Sequence, residues 1–282
     1  MIGDINIFFC GINKIFFMEK SYMRKKNVLK KIMRLHRENP FRIIAGFFDY
    51  ALINKKSKPH FEAMPHLSYL LSSLKINCFI DVGANIGNFA CEVREMGYTG
   101  KIISFEPVSN TYDILLAASA GDQLWSTYKL ALGSINGKMD INVVRDSDLS
   151  SLLKPNDYLK EIFNEKSSII SVENIEVCTL DSMISDLIKD IPEPRIFLKM
   201  DTQGYDCEVF KGAAGCMDRI FGIASELSAL PLYQGMLSYV DSIKFYNDNG
   251  FAITGMYPIS RDIDNLMVIE FDCFMKKMIY KT

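Results

Sequence analysis

Apolar runs of strand length recur through the last two thirds of this chain, each followed by a stretch of helical spacing. This alternation restricts the fold more than any other feature. The run 78–82 leads into helical 88–96, and 101–105 closes on Glu106 and Pro107 before a helix start at Asn110 with Asp113 three residues later. After an irregular middle the rhythm resumes with 175–179, a helix from Leu180, a strand at 195–200, a helix from Tyr205 and a strand at 221–225. Strands alternating with helices of this length predict βαβ units in a mostly parallel sheet covered on both faces. A helix at 237–249 then leads to strands at 252–256 and 266–274. The loop between those two strands has no helical pattern, so they are expected as an antiparallel edge. The expected fold is α/β and Rossmann-like.

Other stretches stand apart from the rhythm. Strand-like 127–132 and 139–144 flank Asn136-Gly137, a pair suited to the positive φ angles of a tight hairpin. The polar segment 145–173 is weakly patterned and reads as an insertion or lid beside a substrate. Ahead of the sheet, 65–75 reads as a helix and 27–35 as a basic amphipathic helix ended by Pro40. Between Glu19 and Glu38 eight basic side chains stand against two acidic ones, a face for solvent or for peripheral contact with a membrane or protein partner. The expected division is a helical extension over 1–60 and a folded domain over 61–282.

Composition excludes several classes. With 32 Lys plus Arg against 34 Asp plus Glu, no global positive field exists to attract nucleic acid. Seven cysteines at 10, 78, 91, 178, 207, 216 and 273 never form a CxxC pair, which predicts reduced thiols, no zinc site and a cytoplasmic location. No apolar stretch approaches the roughly 18–20 residues of a membrane span, and no cleavable leader pattern is present.

In open α/β sheets ligands bind beyond the carboxyl ends of the strands, so residues there carry most weight. The first such end reads Asp81-Val82-Gly83-Ala84-Asn85-Ile86-Gly87. Gly83 and Gly87 permit a tight turn and close backbone approach, and Asn85 tolerates left-handed geometry. The spacing is GxxxG rather than GxGxxG, and Asp81 sets an anion where a cationic ligand would sit. S-adenosylmethionine has that character, with a sulfonium, an ammonium and one carboxylate. Glu106, ending the next strand, is suited to grip a ribose 2′,3′-diol.

These residues lie in a pattern that resembles the FkbM family of S-adenosylmethionine-dependent methyltransferases. The resemblance rests on Phe79-Ile80-Asp81-Val82-Gly83-Ala84-Asn85-Ile86-Gly87, Phe105-Glu106-Pro107, Ala131-Leu132-Gly133, Ser150-Ser151-Leu152 and Leu180-Asp181. Most specifically it rests on Leu198-Lys199-Met200-Asp201-Thr202-Gln203-Gly204-Tyr205 with Glu208 and Lys211-Gly212-Ala213. Glu226, Pro231-Leu232-Tyr233, Gly235 and Tyr257-Pro258 extend it. It implies a class I methyltransferase sheet and O-methylation of acceptors such as sugars or polyketide hydroxyls. By the same resemblance Asp81, Gly83, Asn85 and Gly87 map to the cofactor loop and Glu106 to the ribose-binding acid. Residues 1–60 have no counterpart in it.

Methyl transfer to a hydroxyl needs alignment in a dry pocket and a base for the hydroxyl proton. The three histidines, His36, His60 and His66, all precede the first sheet strand and are poorly placed. Asp201 ends its strand beside that of Asp81, and Glu226 ends the next, so the two carboxylates are expected to converge on one acceptor. The same pair, with Asp181 or Asp206, is also compatible with a divalent cation, and Asp201 with capping the following helix. Thr202, Gln203 and Tyr205 are the candidates to orient the acceptor, a small molecule or glycan. Lys199 is expected to pair with Asp181, Asp201 or Glu208. The competing readings are a nicotinamide-dependent oxidoreductase, disfavoured by the missing GxGxxG, and a non-catalytic scaffold that docks through the basic helix.

Overall fold

The computed structural model describes residues 58–262 and 265–278. The chain separates into two units, 1–61 and 62–282. The basic helix expected at 27–35, His36 and the side chain of His60 lie outside the described residues. Among the described residues no helix is long and apolar enough to cross a membrane.

The helix expected at 65–75 begins earlier, as α1 (Lys58–Ser73), and carries Pro65 in its interior. The sheet then builds as the alternation predicts. Strands β1 (Cys78–Val82), β2 (Lys101–Phe105) and β3 (Trp125–Tyr128) alternate with helices α2 (Asn88–Glu95) and α3 (Ser109–Ser119). Three more strands, β4 (Ala131–Leu132), β5 (Gly137–Val144) and β6 (Ile169–Cys178), belong to the middle of the chain, with the short helix α4 (Asp157–Phe163) between the last two. The α/β rhythm returns with α5 (Leu180–Leu187), β7 (Ile196–Met200), α6 (Asp206–Lys211), β8 (Ile220–Ser228) and α7 (Tyr239–Asp248). Last come β9 (Phe251–Arg261) and β10 (Val268–Lys277).

One sheet has seven strands in the order β3-β2-β1-β7-β8-β10-β9. The first five are parallel, and β10 runs antiparallel to both its neighbours, so the expected antiparallel edge is present. Strand order reverses between β1 and β7, the position where such sheets open a crevice at their carboxyl ends. Both strands are buried along their whole length. Phe79 and Phe197 stack across them with centroids 5.5 Å apart and planes 7° apart, fixing the centre of the core. The parallel register places Asp81 beside Lys199, and Met200 beside Ser225. It therefore brings Asp201, just after β7, and Glu226 to one rim, although β8 does not end at Ser225 as expected and runs through Glu226 to Ser228.

The middle of the chain corrects the hairpin expected at Asn136-Gly137. Ala131 and Leu132 pair in parallel with β6, and β5 pairs antiparallel with β6, so β6 lies between them in a separate three-stranded sheet. Neither Asn136 nor Gly137 has a positive φ, the condition for the tight turn. The Asn136 carboxamide oxygen instead accepts from Thr179 N at 2.6 Å and Ser182 Oγ at 3.2 Å, tying this corner to the start of α5. One face of the small sheet buries Ala131, Ile141, Val143, Ile175 and Val177 against Val108. Long-range pairing of apolar faces outweighed a local turn preference.

Candidate active site

Beyond the carboxyl ends of β1, β2, β7 and β8 lies a cavity of about 240 Å³. Its wall includes Gly83, Asn85, Glu106, Asp201, Thr202, Gln203, Tyr205 and Glu226, eight of the ten residues singled out in the sequence. Gly87 and Asp81 are not on that wall.

The β1–α2 loop is shaped by its backbone. Gly83, Asn85 and Gly87 have φ of 75°, 47° and 89°. A Cβ on Gly83 would run into the carbonyl oxygen of Asp201, so this glycine is needed where two strand ends meet. At Gly87 a Cβ would press on Leu115 and on the ring of Trp125. Trp125, which stands out in no motif, is the floor of the loop, with Nε1 donating to Ser104 Oγ at 2.9 Å.

Glu106 is 6% exposed and accepts from Asn85 N at 2.9 Å and Val108 N at 2.8 Å. Burial pushes its carboxyl up to about 7 against those two bonds. An ionised carboxylate has about four acceptor sites, so roughly two remain for a diol in the cavity.

Asp81 corrects the expectation of an anion facing the ligand. Its side chain is wholly buried, and Oδ1 lies 3.1 Å from Lys199 Nζ. The same ammonium is 3.2 Å from Asp201 Oδ2. Lys199 thus pairs with Asp201 as expected and with Asp81 as not foreseen. Glu208 is bound instead to Lys211 and Ser134, and Asp181 to Gly215 N. Burial raises the Asp81 carboxyl and Lys199 opposes it. Burial alone would lower Lys199, but Asp201 and Asp81 hold it above its ordinary range.

On the other rim Gln203 Nε2 donates to Asp201 Oδ1 at 3.2 Å and to Glu226 Oε2. The paired carboxylates converge as expected. They titrate apart. Glu226 is pushed well above the ordinary carboxylate range by burial, then by Asp201 and Glu270. Burial works to raise Asp201 too, but Lys199 and a hydrogen bond with Glu226 hold it below. Gln203 has a φ of 54° and is fixed at its far end, where Tyr233 Oη donates to its Oε1 at 2.8 Å. Its carbonyl accepts from Ser151 Oγ at 2.8 Å.

Asp206, entertained above only as a metal ligand, is the clamp of this rim. It accepts from Thr202 N at 2.8 Å, Thr202 Oγ1 at 2.5 Å, Ser225 Oγ at 2.7 Å and Glu226 N at 3.1 Å. Asp201 caps no helix, since the residue before α6 is Tyr205 and makes no side-chain cap bond. The spacing Thr-x-x-x-Asp after a strand end was the available signal. Among the described residues no three His, Cys, Asp or Glu side chains come together as a metal site.

The segment expected to be a lid does reach the cavity, through Ser147, Asp148, Ser150, Ser151 and Leu152. The Asn85 carboxamide donates to Asp148 Oδ1 and bonds Ser147 Oγ at 3.3 Å, closing the insertion over the glycine loop. Four carboxylates, from Glu106, Asp148, Asp201 and Glu226, line the cavity, with no lysine, arginine or histidine on its wall among the described residues. His66 is away from it, bonded through Nδ1 to Tyr257 Oη at 2.8 Å.

The structure has distant likenesses among solved proteins. A magnesium protoporphyrin IX methyltransferase from Synechocystis PCC 6803 with bound S-adenosylmethionine is 10% identical, with TM-score 0.43 over 81% of this chain and 86% of that one. An rRNA methylase from Streptococcus thermophilus is 10% identical, with TM-score 0.42 over 81% and 100%. Aeropyrum pernix fibrillarin with natively bound S-adenosyl-L-methionine is 10% identical, with TM-score 0.38 over 71% and 66%. No curated protein matches the sequence. The methyltransferase FkbM domain matches residues 81–251, from the buried acid of β1 through both rims of the cavity to the start of β9. The chain belongs to the FkbM methyltransferase domain family and is a methyltransferase.

Proposed function

We propose that this methyltransferase uses S-adenosylmethionine to methylate a hydroxyl of a neutral or cationic polyol, of the sugar or glycan type. The observation that carries the reading is the wall of the cavity, with four acidic side chains and, among the described residues, no basic one. Such a wall suits a sulfonium and an ammonium and repels phosphorylated or nucleic-acid acceptors. The free acceptor sites of Glu106 suit a ribose diol, and Gly83 lets the β1 loop pass against the Asp201 carbonyl beside them. Bound there, S-adenosylmethionine supplies an electrophilic methyl group. Asp201 and the Gln203 carboxamide orient the acceptor hydroxyl, and the basic carboxylate of Glu226 takes its proton. Thr202 and Tyr205 shape the acceptor side of the same wall.

The test is transfer of a labelled methyl group from S-adenosylmethionine to a panel of neutral sugars, aminosugars and sugar phosphates. Label on neutral or amine-bearing polyols, with none on the phosphates, is expected. Label confined to phosphorylated acceptors, or product carrying the methyl on carbon or nitrogen, contradicts the reading.

A further inference from the structure

We propose that Lys199 is a positioning residue that decides where the proton of the acceptor rim resides. Its buried ammonium, shared between Asp81 and Asp201, keeps Asp201 ionised and leaves the proton-accepting part to Glu226. The inference rests on the reading of Asp201 and Glu226 given above.

A lysine side chain only 7% exposed, one residue from the end of a central strand, costs desolvation that packing alone does not explain. Its Nζ is held at three points: 3.1 Å from Asp81 Oδ1, 3.2 Å from Asp201 Oδ2 and 4.9 Å from the centroid of Phe89. With both acids ionised, two carboxylates and one ammonium carry one negative charge in excess, and it bears on whatever faces Asp201. That group is Glu226, joined to Asp201 through Gln203. Glu270 and Asp272 from β10 also bear on Glu226, and Asp206 holds its backbone N–H. Asp148 faces Asp201 from the insertion. Among the described residues Lys199 is the cation of this group, and it lies nearer to Asp201 than to Glu226 along the chain of contacts. It therefore splits an otherwise similar pair, fixing charge on Asp201 and basicity on Glu226. Asp81, which never reaches the cavity, tunes the split from behind.

The direct test is the titration of the Glu226 carboxyl in ligand-free protein, followed by carbon NMR with labelled glutamate, with thermal melting as the check on folding. Lys199→Met removes the cation that holds Asp201 ionised, so Asp201 competes for the proton and the Glu226 titration is expected to fall by about one pH unit or more. Asp81→Asn leaves the ammonium to Asp201 alone, which stays ionised, and the Glu226 titration is expected to stay raised. The double variant Asp81→Asn/Lys199→Met removes the buried pair together, so it should fold where Lys199→Met alone does not. In it the fall persists, because the cation beside Asp201 is still missing. A Glu226 titration unmoved or raised in a folded Lys199→Met or double variant, or lowered by Asp81→Asn as far as by Lys199→Met, overturns the proposal. Where transfer is followed as well, the acid limb of the kcat profile should move with the titration while the KM for S-adenosylmethionine stays constant. Wild-type protein without methyl transfer would remove the proposed function and leave the titration result standing.

Discussion

The two rims of the cavity are held by different physics. The β1–β2 rim is a backbone device: three left-handed residues in five positions and one carboxylate fastened by two peptide N–H groups. The β7–β8 rim is a side-chain device, in which Asp206 clamps the loop, Gln203 bridges two acids and Lys199 sits beneath them. A rim made of backbone geometry presents fixed donors and acceptors for a constant ligand. A rim made of coupled charges responds to pH and can handle a proton. The division suits the proposed reaction, with a donor that never varies and an acceptor hydroxyl that would lose a proton.

Substitutions on the two rims should therefore fail differently. The largest effect is expected for Glu226→Gln, which should cut kcat by about 10²–10⁴-fold and leave S-adenosylhomocysteine affinity unchanged. An affinity loss equal to the rate loss would merge the two rims into one. In the wild type, kcat should be lost as pH falls through the raised Glu226 titration, above the ordinary carboxylate range. Glu106→Ala should act the opposite way, weakening S-adenosylhomocysteine by about 10 to 100-fold in calorimetry. Rate at saturating donor should change far less.

Gly83→Ala should disturb both rims, because Gly83 is where they touch. Its φ of 75° and the Asp201 carbonyl in the path of a Cβ should cost about 1–3 kcal/mol in denaturant unfolding. Both affinity and rate should fall together in this variant alone. The smallest effect concerns Glu270, which burial and neighbouring acids hold at about 7, above its ordinary 4.5. A raised folded-state value favours the protonated form, so this stability is full below about 4.5 and is lost as pH rises to about 7. Glu270→Gln keeps an acceptor for Ser260 Oγ and should flatten the stability curve across that window.

The contrast also explains what could be read from the chain. Gly83, Asn85, Gly87 and Glu106 were legible because backbone conformation makes local demands, and only a few residue types meet them. The convergence of Asp201 and Glu226 was legible because they follow Met200 and Ser225, which pair across neighbouring parallel strands, although β8 runs on past Glu226 to Ser228. The role of Asp81 was not. It depends on the register of β1 against β7, which sets Asp81 opposite Lys199 from a distant part of the chain. Asp206 and Tyr233 were hidden for the same reason, since each acts through a partner on another element. The Asn136-Gly137 signal misled because its local preference was overridden when β6 inserted between β4 and β5.

Glu106 and the glycine loop are the proposed seat of a sulfonium nucleoside. Titration calorimetry of the wild type with S-adenosylhomocysteine and, separately, with NAD tests this most directly. One-to-one binding of the homocysteine nucleoside alone, weakened in Glu106→Ala and retained in Glu226→Gln, is the predicted result. Binding of NAD instead, or an affinity indifferent to Glu106, would contradict it.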